Sequence, residues 1–226
     1  MNTCTNCGKE FTDKYCNHCG VKKNDGRLYL KDQLHDALYY VFSVDSPITA
    51  TFIGLMTNPG KVGHEYIEGK RKKYYTPIKY FILCTAIYFL LVKITGINPV
   101  SVGNSEIIVK NYNYLIFLLV PILAVFSKLF FYKQKFNYAE YIAYSFFLVG
   151  HYMILNILYI PFIYFFPEVN IGNQIFAVYL IWGMFSFHKG NPIVKLLLSF
   201  LSVVLSFIVF LGLTLLIFVL FYKIFG

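Results

Sequence analysis

Downstream of Pro77 the chain runs in long apolar stretches separated by short polar ones; upstream of it, polar and apolar positions mix. The apolar stretches are Ile78–Ile97, Tyr114–Tyr132, Glu140–Phe165, Gln174–Phe187 and Val194–Phe221. A helix needs ~20 residues to cross a hydrocarbon core of ~30 Å. Four of the five stretches meet that length, and the third is long enough to tilt. The fourth, with its core at Ile175–Phe187, is short enough to be re-entrant. The pattern therefore predicts about five transmembrane helices packed as a bundle over 77–226. Pro121 inside the second predicts a kink. In the fifth, Ser199, Ser202 and Ser206 are spaced three and four apart, a small-residue face suited to close helix packing or oligomerisation.

The connector, residues 28–76, has a different period. Leu30, Leu34, Leu38, Val41 and Phe42 recur at helical spacing among Lys31, Asp32, Gln33 and Asp36, which predicts an amphipathic helix. Ser46-Pro47 reads as N-cap and first residue of a second helix carrying Ile48, Phe52, Leu55 and Met56. Asn58-Pro59-Gly60 should break it. A third helix over about Lys61–Glu68 should stop at Gly69. The basic run Lys70–Lys73 and the pair Tyr74-Tyr75 then lead into the first span.

Composition supports the membrane reading. Hydrophobic residues make up 58% and charged residues only 14%, against roughly 25% charged in soluble domains. The net charge of +9 comes from 20 Lys and Arg against 11 acids. Its distribution sets orientation, for which only Lys and Arg count. Lys61, Lys70–Lys73 and Lys79 precede or open the first span; Lys128, Lys133 and Lys135 lie at the second connection, and Lys189 and Lys195 at the fourth. The alternate connections hold only Lys93 and Lys110. This predicts a cytoplasmic N-terminus, with the basic run against anionic headgroups. No secretory signal peptide precedes the first span, so residues 1–76 are expected to stay in the cytoplasm.

Four of the five cysteines fall in the first 19 residues: Cys4 and Cys7, eight intervening residues, then Cys16 and Cys19. Two CxxC knuckles at such spacing hold a tetrahedral ion through four thiolates, so residues 1–27 are expected to form a zinc ribbon or knuckle. Gly8 and Gly20 each follow a knuckle, where a tight turn favours Gly, and Phe11 and Tyr15 can cover the site. A dithiol redox pair would need a βαβ context that this sequence lacks. Four thiolates complete the shell, so His18 is not expected to ligate, and zinc there is structural. The module carries Lys9, Lys14, Lys22, Lys23 and Arg27 against Glu10, Asp13 and Asp25. That small excess, with no aromatic interleaving, argues against nucleic acid and for a protein partner. Cys84, within an apolar run, reads as a buried small side chain.

Polar groups inside spans are the usual functional suspects. Glu140, Tyr144 and His151 share a stripe of the third span, with Asn156 further along. They suit either interhelical hydrogen bonds or, as the alternative, an ion or proton pathway in an oligomeric transporter or pore. No GxSxG, HExxH, P-loop or GxGxxG is present. His64, Glu65 and Glu68 on one short helix are a possible metal group, but a solvated face explains them as well. A catalytic role is thus not expected, and a lipid-acting membrane enzyme ranks last.

The order of motifs resembles a family. Cys4-x-x-Cys7-Gly8, Tyr15-Cys16-x-x-Cys19-Gly20, Thr51 through Pro59-Gly60, and Glu65-Tyr66-Ile67-Glu68-Gly69-Lys70-Arg71 with Pro77 together resemble a bacterial zinc-ribbon membrane family. It is catalogued as domain-of-unknown-function family 3667. The likeness covers about residues 1–90. It implies a signature of Pro59, Gly60, Tyr66, Gly69, Lys70, Arg71 and Pro77, and no activity. The expectation is an all-α integral membrane protein with an N-terminal zinc module, acting as a non-enzymatic adaptor or scaffold, possible as a homo-oligomer.

Overall fold

In the computed structural model, the described residues are 2–4, 7–13, 15–19, 46–97, 115–165 and 172–225. The amphipathic helix expected around Leu30–Phe42 lies outside them. The chain divides into two compact units, Met1–Ser43 and Val44–Gly226.

In the first unit, strands β1 (Asn2–Thr3) and β2 (Glu10–Phe11) pair antiparallel, Asn2 opposite Phe11 and Thr3 opposite Glu10. So short a hairpin cannot be stable by itself; the cysteines that flank it are its natural tie.

The second unit is all-helical: α1 (Pro47–Thr57), α2 (Pro59–Ile67), α3 (Pro77–Thr95), α4 (Leu119–Phe130), α5 (Tyr138–Phe165), α6 (Gly172–Phe187) and α7 (Pro192–Phe225). Caps explain where these helices begin. Ser46 Oγ accepts from the Thr49 amide at 3.1 Å, and Pro47, which has no amide to satisfy, opens α1. Asn58 closes α1 with its own N–H on the Gly54 carbonyl, and its Oδ1 accepts from the Lys61 amide at 3.0 Å to open α2. The expected break at Asn58-Pro59-Gly60 is therefore a one-residue corner. Pro59 begins the next helix two residues earlier than Lys61, because its missing N–H costs nothing in a first turn. Asn137 and Glu140 form a reciprocal capping box: the Glu140 amide donates to Asn137 Oδ1 at 3.0 Å and the Asn137 amide to Glu140 Oε2 at 2.7 Å. Glu140 thus serves the start of α5.

Among the described residues, three helices are long and apolar enough to cross a membrane: Pro77–Thr95, Tyr138–Phe165 and Pro192–Ile217 within α7. The fourth expected span, Gln174–Phe187, comes out two residues longer at its start, as Gly172–Phe187, and of the second, Ile116–Phe130 is helical among the described residues. A 3-10 turn, Ile116–Leu118, leads directly into the 12 residues of α4. Pro121 sits in the first turn of α4 and marks its start, where a mid-helix kink was expected: with no N–H it cannot bond one turn back. The 16 residues of α6 span about 24 Å at 1.5 Å each.

α5 packs on α3 and α4, α7 on α4 and α6, and α2 lies against α6. Around an apolar core this packing also buries hydroxyls and leaves many large apolar side chains outside. Ser127, Ser145, Ser199, Ser202 and Ser206 are fully buried, while Ile94 is 70% exposed and Leu197 and Val219 62%. Exposed apolar surface on this scale requires an apolar surrounding. The small hydroxyl face on α7 turns inward as its spacing predicts.

Candidate functional site

The four N-terminal thiols converge. Their sulfurs all lie within 4.8 Å of one another, with Cys4 Sγ 3.4 Å from Cys19 Sγ and Cys7 Sγ 3.6 Å from Cys16 Sγ. None is bonded to another. A tetrahedral ion at ~2.3 Å from each sulfur sets the sulfurs about 3.8 Å apart, which this cluster brackets. The turn comes from the first knuckle: the Gly8 amide donates to the Cys4 carbonyl at 2.9 Å, the Cys4 amide to the Lys9 carbonyl at 2.9 Å, and Gly8 adopts φ +70°. Backbone amides of His18 and Cys19 hold the Cys16 thiol below its ordinary value. At Cys7 the Lys9 amide pulls down, but desolvation and the thiols of Cys19, Cys4 and Cys16 outweigh it and push the thiol up to about 12. Crowded thiols resist sharing negative charge, and a bound cation removes that resistance. His18 is exposed and stays out of the cluster; Tyr15, 51% exposed, does not cover it.

The second concentration of specific contacts is the segment that carries the resemblance. α1 and α2 form a hairpin seated on the bundle. The Gly60 amide donates to Ser186 Oγ at 2.9 Å, and a Cβ added at Gly60 would fall on the Ser186 carbonyl. A Cβ on Gly63 would come within 2.6 Å of the Tyr144 ring. His64 Nε2 lies 2.7 Å from the Phe187 carbonyl oxygen, and its ring stacks on Phe187. Tyr66 meets Phe147 edge-on and carries the Arg71 guanidinium 5.8 Å from its ring centre. The hairpin ends in a Schellman turn: the Lys70 amide donates to the Glu65 carbonyl at 2.9 Å, the Gly69 amide to the Tyr66 carbonyl at 3.3 Å, and Gly69 has φ +106°. The chain then returns. The Tyr75 amide donates to Thr51 Oγ1 at 2.8 Å, while that hydroxyl donates to the Pro47 carbonyl at 2.6 Å. Pro77 opens α3.

Glu65 joins the return to the hairpin. Its carboxylate accepts from Tyr74 OH at 2.6 Å, Lys73 Nζ at 2.7 Å and Lys70 Nζ at 3.2 Å. The Lys73 ammonium, then the Tyr74 hydroxyl, then Lys70 hold its carboxyl down to about 2. In this arrangement His64 turns to α6 and Glu65 to the basic run, so His64, Glu65 and Glu68 do not converge as a metal group. Of the basic run, Lys70 and Lys73 are engaged by Glu65, and Arg71 lies over Tyr66.

His151 and Asn156 are buried among the helices. Tyr80 OH lies 2.8 Å from His151 Nδ1; Phe52 and Tyr179 flank the ring. Asn156 Nδ2 reaches the Tyr152 carbonyl of its own helix at 3.4 Å. No sequence signal marked Tyr80, Tyr144, Ser186 or Phe187 as partners of these positions, because the contacts join residues 71 to 126 apart in the chain.

The model of one family matches residues 45–89. That family is described as "Protein of unknown function (DUF3667)". It is the family that the motifs resemble, and the match runs from the start of the hairpin into α3. The cysteine cluster lies before the matched residues. No curated protein and no solved structure matches the chain.

Proposed function

We propose that this protein is a non-enzymatic membrane adaptor: a zinc-bound N-terminal module that recruits a protein partner, carried by a multi-helix anchor. The observation behind this reading is the convergence of Cys4, Cys7, Cys16 and Cys19. Four thiolates fill a tetrahedral zinc shell and leave no position for water or substrate, so the ion's role is to hold a small fold. A module stabilised in this way presents a surface to a partner and carries no chemistry of its own.

The anchor is read as five helices, α3 to α7, in a bacterial inner membrane. The short α4 and α6 cross between longer neighbours, as short helices do where the bilayer thins locally. The basic connections meet at one end. Gln134 Nε2 donates to the Lys189 carbonyl at 3.0 Å, Phe131 stacks on His188, and His64 from the hairpin lies against Phe136. Lys133, Lys135 and Lys189 thus share an end with the hairpin, which supports a cytoplasmic placement of that end and of the N-terminus.

The test is crosslinking in native membranes followed by affinity recovery of the full chain. A specific protein should be recovered with the wild type and lost with Cys16→Ser, while both insert equally. Equal recovery overturns the adaptor reading. So does ion flux in liposomes that His151→Leu abolishes, which would favour a pathway through the bundle.

A further inference from the structure

Where the two basic connections meet, the bundle carries a cavity of ≈ 490 Å³ between the end of α4, the 188–191 connection and the first turns of α7. Its polar wall holds Lys133, Lys189 and Lys195, and among the described residues no carboxylate lines it. Its floor is apolar: Leu129 from α4, Val194 and Leu198 from α7. Both walls are fixed. The Gln134–Lys189 hydrogen bond ties the connections together, and Asn191 Oδ1 caps α7 by accepting from the Ile193 amide at 2.9 Å. Lys195 is held by its ammonium 3.8 Å over the Phe185 ring.

We infer that this cavity is a binding site for an anionic phospholipid. Three lysines from two connections and a helix line it with no carboxylate among the described lining residues, and that charge calls for a phosphate-bearing headgroup. An apolar floor that continues onto α7 calls for an acyl chain attached to that headgroup. α7 supplies the continuation: Ile193, Val194 and Leu197 are exposed along its first turns, so a lipid can lie along the helix with its phosphate at the lysines. A soluble phosphate would satisfy the lysines and leave the floor uncovered. This site is separate from the Lys70–Lys73 run, two of whose four cations are already paired with Glu65. The inference rests on the helices lying in a membrane and is independent of the adaptor reading.

Purified full-length protein in a neutral detergent is titrated with phosphatidylglycerol, phosphatidylcholine or inorganic phosphate. Thermal stabilisation and retained lipid in native mass spectrometry are read together. Phosphatidylglycerol should stabilise the wild type and remain bound; phosphatidylcholine and inorganic phosphate should do neither at the same concentration. Each lysine is expected to contribute about fivefold in affinity, the factor corresponding to ~1 kcal/mol. Lys133→Gln/Lys189→Gln/Lys195→Gln should then bind about a hundredfold more weakly. Lys189→Gln alone, at an exposed side chain outside the helices, should lose about fivefold and guards against a triple variant that fails to fold. Lys72→Gln should bind as the wild type does. Equal binding of phosphatidylcholine, equal stabilisation by inorganic phosphate, or unchanged affinity in Lys189→Gln overturns the proposal.

Discussion

Gly60 and Gly63 act by what they lack. The Gly60 backbone sits against Ser186 and Phe187 at the end of α6, and the atoms in the way are main chain, which cannot rotate aside. Gly60→Ala should therefore destabilise the bundle by ~1–3 kcal/mol, the usual range for overpacking. Gly212→Ala in α7, where nothing lies within 4 Å of the added carbon, should change stability by less than ~1 kcal/mol. Thermal unfolding of both variants in one detergent makes the comparison. Glu65 contributes through charge. Its carboxyl is held at about 2, below the ordinary 4.5, so the stability it confers is present above pH ~4.5 and lost as pH falls toward 2. In Glu65→Gln that pH dependence should flatten, with lower stability than the wild type at pH 7. Melting temperatures collected between pH 7 and pH 3 decide it.

At the scale of elements, the hairpin α1–α2 is closed by its return strand. Thr51 holds it, accepting from the Tyr75 amide and donating to the Pro47 carbonyl. Thr51→Val removes both bonds and keeps the shape. A buried amide left unpaired costs ~1–3 kcal/mol, and because the Tyr75 amide also reaches the Pro47 carbonyl at 3.2 Å the low end is expected. Thr51→Ser should retain most of the stability. Limited proteolysis between Gly69 and Tyr75 offers a second readout, since loosening the return exposes that stretch. A helix start was marked in the sequence at Ser46-Pro47; Asn58-Pro59, Asn137 with Glu140, and Asn191-Pro192 also pair a cap with a residue suited to a first turn, a role the apolar pattern alone did not reveal. The apolar run that opens at Tyr114 gives no sign of the 3-10 turn, Ile116–Leu118, that leads into α4.

At the scale of the molecule, the four-cysteine cluster and the helices belong to separate compact units, so they should come apart in their chemistry. The zinc-loaded full chain should hide Cys4, Cys7, Cys16 and Cys19 from a thiol reagent. Chelation at neutral pH should expose four thiols, while Cys84, buried in α3, reacts only after denaturation. The melting temperature of the helical unit should not move on chelation. Exposure of five thiols without denaturant would contradict this division, and metal analysis should find one equivalent per chain.

Local chemistry determined the parts of this protein that act over short chain distances. The CxxC pairs, the caps, the Schellman glycine and the apolar runs each depend on neighbours a few residues away, and a sequence displays such neighbours directly. Tertiary structure alone decided what those parts touch. His151 meets Tyr80, Gly60 meets Ser186, and lysines 133, 189 and 195 share one cavity because helices far apart in the chain pack side by side. Packing of this kind depends on the shapes of whole helix faces, and the spacing of residues along one helix carries no record of the partner's face. Signature residues such as Gly60 and Tyr66 were legible as a pattern before they had a reason; the reason is the seat they fill on α5 and α6.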